Sequence, residues 1–298
     1  MIGRVKLLVG YDGSEGGRDA LELARVLGTI EPSSALVVAV MPYGPLPVGF
    51  AELDRDAARE AAPLLADARE QLGGIEVETR TFGGSSPAAV IADLAESEAV
   101  DAIVVGSPHR GAIGRALIGS VAEGILHGAP CAALVAPRGY AEHGHGPFAT
   151  IAVAFDGTPE AQAALREAQK LAEASRAIVR ILTVVSPPVA LPGGVGYTPI
   201  NPPEPEKVVR EGVEAIGDSV PVEGRQLDGP PAKVLAGACE GVDLLVAGSR
   251  GYGPVTRLLV GSVSTRLIET APCPVLVVPR PEQAPESSSQ KNRGEVLL

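Results

Sequence analysis

The chain has 298 residues, of which 45% are apolar and only 3% aromatic, and it carries a formal net charge of −11. This composition argues against a nucleic-acid-binding protein, which needs a basic face and stacking side chains. Its apolar runs reach only about seven residues, far short of the roughly 18 that a spanning helix needs, and no basic-then-apolar signal peptide opens it. We therefore expect a globular cytoplasmic protein with neither nucleic-acid nor membrane partners.

The three cysteines, Cys131, Cys239 and Cys273, are odd in number and show no CxxC spacing. Disulfide frameworks and zinc sites use paired cysteines at short, regular spacings. We therefore predict small buried core residues in a reducing cytoplasm rather than disulfides or metal ligands.

The first half of the chain alternates short apolar runs with helical patterns. Ser14 is placed to cap a first helix, and Ser86 followed by Pro87 is typical of another helix start. A further helical pattern covers residues 52–72, where Pro63 predicts a kink or a break. The predicted strands cover residues 5–9, 35–41, 75–82, 102–105 and 132–135.

The second half repeats this order. Thr158 and Pro159 open its first helix, and residues 273–278 close the half as a strand. Short continuous apolar strands separated by helices predict a parallel sheet covered on both faces. In such sheets ligands bind beyond the carboxyl ends of the strands, where the strand order reverses.

Several short segments occur twice at a nearly constant spacing. Gly106-Ser returns as Gly248-Ser, 142 residues later, and Asp12-Gly returns as Asp156-Gly, 144 residues later. This is a duplication of one domain. We predict domains at residues 1–138 and 150–281, followed by a disordered tail at residues 282–298.

The glycine-rich stretch at residues 248–263 follows an apolar strand and leads into a helical pattern. Glycine permits close approach and positive φ, and a helix N-terminus supplies unpaired N–H donors at a positive dipole end. Ser262 is placed as the N-cap of that helix. The stretch fits a phosphate cradle, although two ordinary loop turns would have the same composition.

The spacing Gly-x2-Gly-x9-Gly-[Ser/Thr] after the fourth strand, with an Asp-Gly-[Ser/Thr] turn after the first, resembles the universal stress protein family. Gly248, Gly251, Gly261 and Ser262 satisfy this spacing, and the Ala-Pro-Cys-Pro-Val-Leu-Val-Val-Pro ending of the second half is also typical. The resemblance covers both halves without the tail. It implies an α/β fold of two doubly wound parallel-sheet domains, each with five strands in the order 3-2-1-4-5. It also implies binding of ATP, alone or with Mg, and a role in stress survival.

The resemblance also assigns site residues. Asp156 would lie by the adenine and ribose, although an Asp-Gly pair also favours a turn into a helix. Arg250 would either contact phosphate or be a solvated loop charge. The second-domain set is Ala154, Asp156, Val184, Gly248, Arg250, Gly251, Gly261, Ser262 and Val263. The first-domain set is Asp12, Val40, Gly106, Gly119, Ser120 and Val121.

The first copy departs from the glycine spacing, because His109 stands where the second glycine belongs. A non-glycine residue held at positive φ costs about 1–2 kcal/mol, which favours a weakened or silent first site. His109 could instead donate to a phosphate while Gly111 takes up the turn. We expect the nucleotide mainly in the second domain.

Two functions remain open. The first is an ATP-binding stress or signalling protein that acts through nucleotide-dependent conformation or partner binding. It would hydrolyse ATP slowly at most, since no residue is placed as a general base. The alternative is an ATP-hydrolysing or adenylyl-transferring enzyme of the related nucleotide-binding superfamily, which would need an SGGxDS-type or HIGH-type motif after a strand. The chain has neither, and we predict that it is not an enzyme.

The final strand of each half is predicted at a sheet edge, and unpaired apolar edges are normally covered. Members of the family often pair these edges, which implies an intrachain pseudo-dimer. A homodimer of the whole chain is also compatible with the sequence.

Two other segments invite a functional interpretation. His143 and His145 lie in the linker of residues 139–149, without carboxylate or cysteine partners at ligand spacing. This predicts solvated histidines and no metal site. The proline-rich residues 187–205 are interpreted as a long surface loop or as a lid over the adenine.

Overall fold

The computed structural model describes residues 4–41, 50–107, 119–187, 189–190, 196–197, 204–249 and 261–280. Strands and helices alternate through the first domain, as the apolar pattern predicts. Its strands are β1 (Val5–Gly10), β2 (Ser33–Met41), β3 (Glu76–Gly83), β4 (Ala102–Gly106) and β5 (Ala132–Ala136). Its helices are α1 (Glu15–Ile30), α2 (Phe50–Gln71), α3 (Pro87–Ser97) and α4 (Ser120–Leu126).

The second domain repeats this order, and a short hairpin follows its second strand. Its strands are β6 (Thr150–Ala154), β7 (Ile178–Val185), β8 (Val189–Ala190), β9 (Gly196–Tyr197), β10 (Val222–Asp228), β11 (Leu244–Gly248) and β12 (Val275–Val278). Its helices are α5 (Pro159–Ser175), α6 (Pro205–Ile216), α7 (Pro231–Gly237) and α8 (Ser262–Thr270). Of the proline-rich stretch, the structure describes the hairpin of β8 and β9 together with residues 187, 204 and 205. The remainder of that stretch up to residue 203, where a lid or a loop is predicted, lies mostly outside the described residues.

Within the described residues, ten strands form one sheet in the order β10-β7-β6-β11-β12-β5-β4-β1-β2-β3. Each domain contributes five parallel strands in the predicted order 3-2-1-4-5. The two last strands, β5 and β12, pair antiparallel, with Val135 opposite Val275 and Ala133 opposite Val277. The predicted fold and the pairing of the two halves into an intrachain pseudo-dimer are therefore confirmed.

Two apolar layers cover the sheet, because successive side chains of a strand point to opposite faces. Leu7 packs in the layer that contains α1, α2, α5 and α6, whereas its neighbour Leu8 packs in the layer that contains α3, α4, α7 and α8. Both layers run through the two domains, and Leu134 and Leu276 extend the first of them across the junction. Each domain therefore buries apolar surface of the other.

Helix starts follow the predicted capping at three places. The Ser14 Oγ accepts a hydrogen bond from the N–H of Gly17 at 3.1 Å. Ser86 and Thr158 cap α3 and α5 in the same way. Each hydroxyl satisfies one of the N–H groups that a first helical turn leaves without a partner.

The N-cap predicted for α8 is wrong. Gly261 occupies the N-cap position in extended conformation, and Ser262 is the first helical residue. Gly119 and Ser120 stand in the same relation to α4. Neither helix has a side-chain hydrogen bond at its cap, so its first backbone N–H groups are left for another acceptor.

Pro63 does not break the second helix, because α2 runs without interruption from Phe50 to Gln71. The proline ring lies on the exposed side, while Ala61, Leu65 and Ala68 are buried against the sheet. Packing of this apolar face stabilises the helix despite the missing N–H. Among the described residues, no helix is both long and apolar enough to cross a bilayer.

The linker packs onto α1 rather than extending into solvent. The buried Asp19 carboxylate accepts hydrogen bonds from the N–H groups of Gly139 at 3.0 Å and Ala141 at 2.8 Å. The half-buried His145 ring stacks on Tyr140 with 3.8 Å between ring centroids. The prediction of a solvated side chain is therefore wrong for His145, because the neighbouring aromatic ring supplies a packing surface. His143 is exposed, as predicted.

Candidate functional site

A cavity of about 570 Å³ opens in the first domain beyond the carboxyl ends of β1, β2 and β4. The chain order reverses at β1, which pairs with β2 on one side and with β4 on the other. Ligands of doubly wound sheets bind at such a reversal. All six residues predicted for the first-domain site line this cavity: Asp12, Val40, Gly106, Gly119, Ser120 and Val121. Four separate segments of the chain thus meet there.

One end of the cavity is lined by glycines and by the start of a helix. Gly106 ends β4, and Gly119, Ser120 and Val121 form the start of α4. The first N–H groups of a helix have no intrahelical acceptor and carry a partial positive charge. The opposite end is apolar, since the last residues of β2, Val38–Met41, line it.

Gly106 is required by the close approach of α1. A Cβ added to Gly106 would lie 1.9 Å from the carbonyl oxygen of Gly16 and 2.4 Å from its carbonyl carbon. Those atoms belong to the backbone and cannot rotate away. The glycine therefore lets the first turn of α1 reach the cavity, where Gly16 and Gly17 contribute to the wall.

Asp12 lies in the turn between β1 and α1. Its Oδ1 accepts a hydrogen bond from the N–H of Ser14 at 3.0 Å, and the following Gly13 has φ +78°. This is an Asp-Gly turn of the kind that the sequence predicts. The turn holds the Asp12 carboxylate at the cavity wall.

Tyr11 is a wall residue that the sequence analysis missed. The ring is buried, and its hydroxyl donates a hydrogen bond of 2.6 Å to Asp67 Oδ2 on α2. Burial, followed by the hydrogen bond to Asp67, raises the pKa of Tyr11 to about 12, so the phenol is neutral at physiological pH. An aromatic residue between a buried strand and an Asp-Gly turn was the signal available in the sequence.

Helix α2 supplies Glu60 and Leu64 to the same wall. Neither residue is predicted from the sequence, because both belong to a long amphipathic helix with no local motif. Their place at the cavity depends on how α2 packs across β2 and β3. Glu60 adds a second carboxylate to the wall, and Leu64 packs against the Asp-Gly turn.

The predicted second-domain residues lie at the equivalent strand ends. Ala154 ends β6, Val184 lies near the end of β7, and Gly248 ends β11. Ser262 and Val263 open α8 behind its N-cap Gly261. Arg250 and Gly251, like His109 in the first domain, lie outside the described residues.

Asp156 makes the turn between β6 and α5. Its Oδ1 accepts hydrogen bonds from the Thr158 N–H at 3.1 Å and from the Thr158 hydroxyl at 2.6 Å. Gly157 follows with φ +81°. These hydrogen bonds show that Asp156 is a turn residue, whereas its contact with a ribose stays a prediction.

Glu160 distinguishes the second domain from the first. It is the second residue of α5, where α1 has Gly16, and an added Cβ on Gly248 would lie 2.6 Å from its backbone. The Glu160 side chain is mostly buried and forms an ion pair of 3.3 Å with Arg280. A carboxylate near a predicted phosphate loop opposes anion binding, and Arg280 offsets part of that charge.

Comparisons with known proteins agree with this architecture. The model of the universal stress protein family matches residues 4–137 and, separately, residues 147–279. A universal stress protein of Mycolicibacterium smegmatis is 30% identical over 292 residues, with 91% of this chain and 96% of the relative covered. Another, from Mycobacterium tuberculosis, is 29% identical over 251 residues, with 80% of this chain and 83% of the relative covered.

The fold agrees as well. The crystal structure of a universal stress protein from Archaeoglobus fulgidus superimposes with a TM-score of 0.71 at 22% identity, covering 92% of this chain and 96% of that one. The two family matches together account for most of the chain. The chain therefore belongs to the universal stress protein family, as a member with two domains in tandem.

Proposed function

We propose that this protein binds adenine nucleotide, with ATP as its ligand, and acts in stress response or signalling through nucleotide-dependent conformation or partner binding. The observation that carries the proposal is the first-domain cavity of about 570 Å³. Small-molecule sites typically measure roughly 300–1,000 Å³. One end of the cavity is apolar, and the other is lined by glycines and by the start of α4. The apolar end suits a base, and the other end suits phosphates.

The wall residues suggest how the ligand is oriented. The base would lie against Val40 and the end of β2, where apolar surface is removed from water. Asp12 is placed at the wall to accept hydrogen bonds from ribose hydroxyls. The phosphates would receive N–H groups from Ser120 and Val121, and Mg can accompany them.

The proposal extends to the second domain, which has the same strand ends and the complete glycine spacing. Gly251 stands where the first domain has His109, and glycine accepts a positive φ without the cost of about 1–2 kcal/mol. We therefore propose that the second domain holds phosphate more tightly. The first domain has Gly16 at the position of Glu160, and its wall carries the carboxylates of Asp12 and Glu60.

The proposed role is binding rather than turnover. Tyr11 is a neutral phenol at the wall, and the Asp12 carboxylate already accepts a hydrogen bond within its own turn. Tyr11 is therefore not a general base at neutral pH, and Asp12 is assigned to the ribose hydroxyls rather than to an attacking water. Turnover of several ATP per second that Gly261→Asp abolishes would contradict this part of the proposal.

Calorimetric titration of the full chain with ATP tests the binding, together with mass spectrometry of nucleotide that survives native purification. Gly119→Asp and Gly261→Asp place a carboxylate at the phosphate end of each domain, and aspartate is a favourable N-cap residue. We expect each variant to lose one domain's binding and the double variant to lose all of it. Gly144→Asp is the matched control, because nothing lies within 4 Å of an added Cβ there.

The outcomes separate clearly. Binding that survives the double variant would place the nucleotide elsewhere and overturn the proposed site. Failure of the unmodified chain to bind any adenine nucleotide would overturn the proposed function. Homodimerisation of the whole chain stays a prediction, which light scattering after size-exclusion chromatography can test.

A further inference from the structure

An arginine lies beside the strand end that opens the second-domain site. Arg280 follows the last residue of β12, Val278, by two positions. Val278 lies opposite Gly248 in the pairing of β12 with β11, and its carbonyl oxygen accepts a hydrogen bond from the N–H of Ser249 at 2.9 Å. These contacts place the backbone before Arg280 next to the end of β11.

Glu160 holds the Arg280 side chain at this strand end. Glu160 Oε1 lies 3.3 Å from Arg280 Nε, and an added Cβ on Gly248 would lie 2.6 Å from the Glu160 backbone. The Glu160 and Arg280 side chains are 18% and 31% exposed. A partly buried ion pair is screened less by water and salt than an exposed one. The guanidinium is therefore restrained near Gly248.

The first domain shows what this strand end contacts. Glu160 and Gly248 occupy the positions of Gly16 and Gly106, and both of these glycines line the cavity of about 570 Å³. An added Cβ on Gly106 would meet the backbone of Gly16, as one on Gly248 would meet that of Glu160. Glu160 therefore lies at the wall of the second domain that is equivalent to the cavity wall of the first.

The equivalent arginine of the first domain is held more loosely. Arg138 follows β5 as Arg280 follows β12, and its Nη2 lies 4.0 Å from Glu15 Oε2. The Arg138 and Glu15 side chains are 52% and 60% exposed, and exposed ion pairs contribute little to holding two side chains together. The duplicated arginine is thus restrained at the site in the second domain alone of the two.

We propose that Arg280 is a phosphate-binding residue of the second domain and that Glu160 is its positioning residue. This role rests on the proposed function, because the phosphate is that of a bound nucleotide. A guanidinium presents five N–H donors in a planar fork, and the fork matches two oxygens of a phosphate. The closest contact with Glu160 is made by Nε, so the terminal amino groups can bind phosphate while the ion pair persists.

The charges at this strand end favour the same assignment. The Glu160 carboxylate by itself would repel a phosphate, and the adjacent guanidinium makes the pair neutral. Hydrogen bonds between a guanidinium and a phosphate are charge-assisted, which makes them stronger than bonds between neutral groups. The second domain thus adds a directed side-chain donor to the backbone N–H groups at the start of α8.

Calorimetric titrations of the full chain with ATP, adenosine and inorganic tripolyphosphate test this role. Gly119→Asp is the common background, because it is expected to remove binding by the first domain. Arg280→Gln should weaken the binding of ATP and tripolyphosphate by about tenfold or more, since a hydrogen bond to a charged group is lost. It should leave adenosine binding unchanged. Arg138→Gln is the matched control and should leave all three affinities unchanged.

A double variant separates phosphate contact from simple neutralisation of Glu160. If Arg280 only offsets the charge of Glu160, the variant with both Glu160→Gln and Arg280→Gln should bind ATP as tightly as the background does. We expect it to bind ATP several-fold more weakly, because the phosphate has lost a donor. The denaturation midpoint of each variant shows whether a lost affinity reflects a lost fold.

The outcomes distinguish this role from the proposed function. An unchanged ATP affinity in Arg280→Gln, or full recovery in the double variant, would overturn the role of Arg280 and leave the proposed function intact. Tripolyphosphate binding that depends on Arg280, in a chain that binds no adenine nucleotide, would overturn the proposed function and support the phosphate contact. A folded chain that binds neither ATP nor tripolyphosphate would overturn both.

Discussion

The two domains share one plan of strands but differ in the helix that faces the candidate site. In the first domain, α1 approaches β4 so closely that the backbone of Gly16 lies against Gly106. In the second, α5 presents Glu160 beside Gly248 and pairs it with Arg280. A duplicated sheet can therefore carry different side chains at equivalent positions of its two site walls, because strand pairing depends on apolar pattern whereas the site wall depends on single side chains.

Other substitutions follow the same division. Tyr11 in the first domain corresponds to Phe155, and Asp19, which holds the linker, corresponds to Ala163. Helix α2 has 22 residues where α6 has 12. None of these differences alters the strand order, which is the same in both domains. A differing residue can be replaced by its counterpart from the other domain, and each such substitution tests one part of the comparison.

The largest expected effect is at Gly106. Gly106→Val should destabilise the chain by about 3 kcal/mol or more, because the new side chain meets backbone atoms that cannot move aside. Chemical denaturation measures this loss. Gly237→Ala is the control, since an added Cβ there meets nothing within 4 Å, and it should be neutral or stabilise by about 0.5–1 kcal/mol. Equal midpoints for Gly106→Val and the unmodified chain would refute the close approach.

The next effect is at Asp19. Asp19→Ala copies Ala163 and should cost about 2 kcal/mol, because the buried N–H groups of Gly139 and Ala141 lose their acceptor. Asp19→Asn keeps one acceptor oxygen and should cost less. If the contact between Asp19 and the linker contributes nothing to stability, the unmodified chain, Asp19→Ala and Asp19→Asn will have the same denaturation midpoint.

Asp19 also predicts a pH dependence. Burial raises its pKa in the folded protein, so the folded state binds this proton more readily than the unfolded state does. The contribution of Asp19 to stability is then largest below the ordinary aspartate pKa and declines as pH rises through the raised value. Asp19→Asn should remove that decline in denaturation curves recorded across the acid range, and an unchanged curve would contradict it.

A smaller effect is expected at Tyr11. Tyr11→Phe copies Phe155 and should cost about 1 kcal/mol through the lost hydrogen bond, since the Asp67 partner is exposed and screened by water.

The Tyr11 hydroxyl, together with Gln71, lowers the pKa of Asp67. That stabilisation is present above the ordinary aspartate pKa and is lost as pH falls through the lowered value. Gln71→Ala keeps the phenol and should therefore retain most of the pH dependence of stability. Identical pH profiles of stability for Tyr11→Phe and the unmodified chain would show that Tyr11 does not lower the pKa of Asp67.

The smallest expected effect separates two kinds of serine at helix starts. Ser14→Ala should cost about 1 kcal/mol, because the side chain caps α1. Ser262→Ala should change stability by less than about 0.5 kcal/mol, because Ser262 is the first helical residue and caps nothing. Denaturation midpoints of the two variants measure the difference, and an equal loss in both would restore Ser262 as a cap.

Local residue patterns predicted much of the fold correctly. Ser14, Ser86 and Thr158 begin helices because a hydroxyl one residue before a helix satisfies a free N–H group, whatever the rest of the fold. Prediction failed where a local rule met tertiary packing. Pro63 is tolerated because the opposite face of α2 is buried, and His145 is half-buried because Tyr140 lies beneath it.

The candidate site shows the same limit. The first-domain residues from Asp12 to Val121 were predictable because they sit at the ends of strands or at the start of a helix, where a parallel sheet collects its ligand contacts. Tyr11, Glu60 and Glu160 were missed, since their relation to the site depends on how helices lie across the sheet. Whether ATP contacts the predicted residues stays a prediction in both domains.

The sequence by itself determined the duplication, the alternation of strand and helix and the positions of the glycines, because these depend on periodicity and on backbone freedom. Only the tertiary structure decided the register in which β5 and β12 pair antiparallel, and that α2 and Tyr11 wall a cavity. Those contacts join residues far apart in the chain. Their geometry is set by packing across the sheet, which no local pattern of residues records.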